Sequence, residues 1–134
     1  MKKLLIIGVI VLMATIVSAA NADMADNCEV PAIKQACLDY VEGFFESNKE
    51  RIERGVNGDL VKRQNDKGVI KNMTRQELVA VAVGNKWSKP EIKVDVYDVH
   101  GNIALAKVTS QFVDYCELAK IDGRWQVLNV LWDF

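Results

Sequence analysis

The hydrophobic pattern changes period at Pro90, and that switch constrains the fold more than any other feature of the chain. Before it, apolar residues recur at spacings of three and four. Ile33, Cys37, Tyr40, Val41 and Phe44 follow Pro31, a residue suited to a first helical turn, and share one helix face. Helical periodicity continues from Asn48 through Ile52 to Val56, until Asn57-Gly58 breaks it. Thr74 followed by Glu77 forms a capping box that opens a helix through Leu78, Val79, Ala82 and Val83, ending near Gly84-Asn85. The polar stretch from Asp59 to Asn72, with a turn signal at Asn65-Asp66-Lys67-Gly68, reads as a surface loop or a short irregular strand.

After Pro90 the pattern alternates. Ile92, Val94 and Val96 take one face, and Lys93, Asp95 and Tyr97 the other. His100-Gly101-Asn102 turns the chain, Ile103 to Ser110 returns, and Phe112 to Lys120 follows. Asp122-Gly123 then leads into a last strand, Trp125 to Trp132. Helices first and an antiparallel meander afterwards, without alternating strand-helix units, define an α+β domain with its helices packed on one face of a curved sheet. The chain has 134 residues, enough for one such core and too few for two.

Residues 1–22 differ in kind from the rest. Lys2 and Lys3 precede an apolar run from Leu4 to Val17, and small residues follow as far as Ala22. These are the three parts of a secretory leader, with cleavage expected after Ala22 and the domain occupying residues 23–134. The apolar run is shorter than the roughly 20 residues of a spanning helix, so no membrane association is expected once the leader is removed. Cys28 comes too late for lipidation. Periplasmic or secreted location would let a disulfide persist, and of the three pairings among Cys28, Cys37 and Cys116, Cys37 with Cys116 is the candidate. The alternative is three reduced thiols acting as small apolar residues.

Charge excludes one class of partner. With 17 Lys plus Arg against 18 Asp plus Glu, and no long single-sign run, the chain lacks the basic footprint of a nucleic-acid binder. It also lacks a phosphate loop, a nucleophile elbow and a metal-spaced His and Cys cluster, so neither a metal nor a cofactor is expected. His100, the single histidine, falls in a hairpin turn and reads as a solvated turn residue rather than as the partner of a Cys-His pair.

The polar candidates are Tyr40 on the inner helix face and Asp114 on the third strand. If Asp114 shares the covered face with Phe112 and Cys116, a phenol and a carboxyl converge in an apolar cavity. Burial would then drive Asp114 neutral or tie it to a donor such as the Tyr40 hydroxyl. If Val113 and Tyr115 face the core instead, Asp114 is solvated. The last hairpin is equally open. A two-residue turn puts Asn129 and Leu131 on the face of Asp114, whereas a three-residue loop puts Leu128, Val130 and Trp132 there.

The element order, with Asp114-Tyr115, Lys120-Ile121-Asp122-Gly123 and Asn129 to Trp132, resembles the lumazine-binding branch of the nuclear transport factor 2-like superfamily. That superfamily also holds SnoaL-like cyclases and ketosteroid isomerase. The resemblance spans roughly residues 30 to 134 and implies a cone, with long helices laid across a bent antiparallel sheet and a pocket between them. It implies an inward Asp114, paired with Tyr40 as oxyanion donors, and favours Trp132 near the pocket. Phe44, Trp87 and Trp132 would form apolar wall for a small apolar or aromatic ligand. The isomerase's proton-transferring aspartate falls on Gln64, an amide that cannot act as a general base, and Asp66 is two residues away. A His-Pro pair common in closer relatives is replaced by Asn57-Gly58, ahead of Leu60 and Lys62-Arg63. Three functions follow as expectations: an exported small-molecule binder, a non-catalytic module that forms a homodimer through the sheet, and an isomerase- or cyclase-like enzyme using Tyr40 and Asp114.

Overall fold

The computed structural model describes Met24 and residues 26–134, and the expected leader lies outside the described residues. Helix α1 covers residues 26–45. Pro31 therefore lies inside this helix and not at its start, because the preceding turn is anchored from below: Glu29 accepts hydrogen bonds from Lys120 Nζ and Trp125 Nε1, both at 2.6 Å. Ser47, with φ of 53°, breaks the helical run, and Asn48 caps α2, Lys49–Gly55.

The polar stretch expected to be a surface loop or a short irregular strand is a long, regular hairpin. Strand β1, Val56–Asp66, pairs with β2, Val69–Thr74, around Lys67-Gly68, whose φ values are both positive. The tight twist of that turn suits a two-residue hairpin. Helix α3, Arg75–Gly84, follows with the Thr74-Glu77 capping box in place. Strands β3, Lys93–His100, β4, Ile103–Thr109, β5, Val113–Ile121, and β6, Arg124–Asp133, form the expected meander.

The six strands run in the order β2-β1-β6-β5-β4-β3. The sheet is mixed, not purely antiparallel, because β1 lies parallel to β6. The helical connection through α1 and α2 delivers the chain to the far edge of the meander, and the β1–β2 hairpin extends it from there. The core lies between the inner face of this bent sheet and the helices: Ile33, Cys37, Tyr40 and Val41 from α1 meet Leu60, Val108, Cys116 and Val130. Among the described residues no helix is long and apolar enough to cross a membrane.

The last hairpin combines features of both expected registers. Asp122-Gly123 is the two-residue turn, with Ile121 opposite Arg124. A bulge at Leu128 then shifts the pairing by one residue, so that Trp132, not Leu131, lies opposite Asp114. An extra residue in one strand turns every later side chain to the other face.

Candidate functional site

Three polar side chains meet beneath α1. Tyr40 comes from the inner face of α1, Asp114 from β5, and Lys62 from β1, where Leu60 and Lys62 share the inward parity. Lys62 Nζ donates to Tyr40 Oη at 2.6 Å and to Asp114 Oδ1 at 2.5 Å. Tyr40 and Asp114 are each 2% exposed and Lys62 6%. The ammonium also lies 4.7 Å from the centre of the Trp132 ring, where the π face attracts a cation.

Above this cluster is a cavity of about 240 Å³. Its walls are aromatic. Phe44 packs against Trp87 with ring centres 4.7 Å apart, and Phe112 meets Trp132 edge to face at 5.4 Å. Trp87 is fixed by donating its indole N–H to the Ala82 carbonyl at 3.1 Å, which hangs it from the end of α3. Tyr40, Phe44, Trp87, Asp114 and Trp132 all line this one cavity. Gln64 lies beyond Lys62 on β1, opposite Lys71 and Trp132, and Asp66 pairs with Lys71 at the hairpin end; neither lines it.

Lys62 is the residue that sequence reasoning missed, and it changes the chemistry expected of Asp114. The carboxyl is neither solvated nor held by Tyr40 as principal donor. Its Oδ1 accepts from the buried Lys62 amine at 2.5 Å, a partner the sequence reading did not provide. Burial, followed by the negative field of Asp114, pushes the Tyr40 phenol well above its ordinary range. The hydroxyl therefore keeps its proton; its oxygen accepts from Lys62, and the phenol is also hydrogen-bonded to Asp114. The signal for Lys62 was the parity of Leu60 and Lys62, obscured because a lysine in a polar stretch reads as solvated.

Beneath the triad lie Cys37 and Cys116, both fully buried and both free thiols, so the expected bridge is not formed in this structure. Cys116 Sγ donates to the Asp114 carbonyl at 3.9 Å. A hydrogen bond with Cys37, and then burial, push the Cys116 thiol well above its ordinary range. His100 is exposed at the end of β3, apart from the cavity.

A cone of helices on a bent mixed sheet, enclosing an apolar cavity with a polar floor, defines the nuclear transport factor 2-like class. Within it, residues 28–133 match the putative lumazine-binding family, and the chain belongs to that family. Among curated proteins, none matches. Among solved structures, the chain is similar to a nuclear transport factor 2-like protein of unknown function from Silicibacter pomeroyi, at 16% identity and a TM-score of 0.70, covering 80% of this chain and 96% of that one. A second such protein of unknown function, from Shewanella baltica, is 20% identical with a TM-score of 0.65, covering 78% and 92%. The association domain of CaMKII from C. elegans has 10% identity and a TM-score of 0.64, covering 82% and 98%. At these identities the likenesses establish the fold.

Proposed function

We propose that this chain is an exported protein that binds one small, neutral, largely aromatic molecule carrying a carbonyl or hydroxyl oxygen. The observation that carries this reading is the charge balance of the cavity floor. Lys62 and Asp114 neutralise one another, so a charged ligand would bring an uncompensated charge into an apolar site at high cost. A neutral molecule incurs no such cost, and its oxygen can accept from Tyr40 or from the Lys62 ammonium. The cavity, at about 240 Å³, lies just below the usual range of ligand sites, roughly 300 to 1,000 Å³, which restricts the occupant to a small molecule. Membership of a family described as lumazine-binding supports a small-molecule role, and the three-part leader in residues 1–22 supports export.

Native mass spectrometry of the protein isolated from its own cell envelope tests both parts. A processed chain beginning at Asp23 and carrying a small molecule is expected, and the molecule is lost when Lys62 and Asp114 are both made apolar. An unprocessed chain would refute export, and a chain that neither retains nor takes up aromatic alcohols would refute binding. Under non-reducing conditions a Cys37–Cys116 bridge would register as the loss of two hydrogens.

A second reading, association through the sheet, is favoured by the apolar residues exposed on its outer face. Leu105, Tyr115 and Leu131 stand there on three consecutive strands. The likeness to an association domain is consistent with it.

A further inference from the structure

We propose that Lys62 is a nucleophile that forms an imine with small aromatic aldehydes entering the cavity, a step that rests on reading the cavity as a binding site. Among the described residues, Lys62 supplies the one primary amine of the cavity lining. A buried ammonium is an unreactive form of lysine, since its lone pair is occupied. Here the proton has somewhere to go. Asp114 Oδ1 lies 2.5 Å away along an existing hydrogen bond. In a site shielded from water an ion pair loses the hydration that favours separated charges, so transfer of this proton gives an amine and a carboxylic acid, both neutral and still hydrogen-bonded. Buried lysines are used as Schiff-base nucleophiles for this reason.

The other groups complete the step. The amine lone pair attacks the carbonyl carbon and forms the C–N bond, while the carbonyl π electrons move to oxygen. Tyr40, whose oxygen lies 2.6 Å from Lys62 Nζ, gives its proton to that oxygen and recovers one from the nitrogen. Asp114, now protonated, gives its proton to the hydroxyl, which leaves as water while the nitrogen lone pair forms the C=N bond. The product is a protonated imine beside an Asp114 carboxylate, with the same net charge as the starting ion pair. The aromatic walls formed by Phe44, Trp87 and Trp132 receive the aldehyde's ring.

Naphthaldehyde with cyanoborohydride tests this on the full chain, since the reductant fixes an imine as a stable secondary amine. The expected result is one adduct per chain, with a mass gain equal to the aldehyde less its oxygen, located on Lys62 by peptide mapping. Labelling of Lys62 should be about tenfold faster than that of any surface lysine, the advantage of a positioned encounter, and naphthylmethanol should suppress it. Lys62→Arg keeps a cation and should lose the adduct; if that variant does not fold, the map of the unaltered chain decides alone. Adducts confined to exposed lysines such as Lys34, Lys49 and Lys86, with naphthylmethanol still quenching tryptophan emission, would overturn the imine and leave the binding site standing. Absence of any effect of naphthylmethanol would remove the binding site as well.

Discussion

The ion pair of Lys62 and Asp114 is held at 2.5 Å with almost no exposure to water. Two opposite charges in such a place are costly to desolvate, and what keeps them there is that each satisfies the other, with Tyr40 as a further partner. Breaking the pair is therefore worse than deleting it. Asp114→Leu should leave a stranded ammonium, Lys62→Met a stranded carboxylate, and each should lower stability by about 3–5 kcal/mol. The double variant should recover most of that loss, and chemical denaturation across the four proteins measures the coupling. If the two losses simply add, the side chains do not form the pair on which the site depends. The same pair explains why the site was only half legible from sequence. Tyr40 belongs to a helix face whose apolar spacing reveals it, and Asp114 was placed inward through the resemblance. Lys62 has no such companions: it follows one inward leucine in a run of polar residues, and its burial is decided by the strand pairing of β1 with β6.

That pairing belongs to the scale of elements, where helices and the meander were readable and the first hairpin was not. Capping at Thr74 and alternation after Pro90 are local signals, satisfied within a few residues. Strand β1 instead takes its place from contacts far along the chain, with Lys62 opposite Val130 and Gln64 opposite Trp132. The Leu128 bulge is likewise set by what packs on either side of it. Another non-local feature is the contact of α2 with α1. A methyl group on Gly55 would lie 2.5 Å from the Ala36 carbonyl oxygen and 2.7 Å from the Tyr40 amide nitrogen, both backbone atoms with no room to yield. Gly55→Ala should therefore cost about 1–3 kcal/mol, read as a lowered melting temperature. Because the clash falls on Tyr40 itself, the variant should also weaken binding of naphthylmethanol. An unchanged melting temperature would mean that the two helices are not packed this closely.

For the whole molecule, acid should act on the network that joins α1 to its surroundings. Burial pushes the Asp39 carboxyl up, but hydrogen bonds from Arg54, Arg51 and Gln35 outweigh it and leave the group below its ordinary range. Lys120, then Trp125, lower Glu29 in the same way, and Lys89 with Arg51 lowers Glu46. Each folded carboxylate binds its proton less readily than the unfolded one, so its contribution is complete above the ordinary carboxylate range and is lost as the pH falls below it. The melting temperature should thus be flat around neutrality and fall once the pH drops below about 4; a decline beginning near neutrality would point to groups outside this network. The outer sheet face makes a separate demand. Leu131 is 55% exposed and Tyr115 46%, side by side across β5 and β6, with Lys107 over the Tyr115 ring. Apolar side chains so placed are anchors when a second copy covers them, and aromatic ones carry most of the energy of such contacts. Sedimentation across a range of concentrations should therefore find a dimer, and Tyr115→Ala should weaken it by about 2 kcal/mol or more while leaving naphthylmethanol binding intact, because Tyr115 faces away from the cavity. A protein that stays monomeric at every concentration would exclude the sheet as an association surface and leave the cavity as the seat of function.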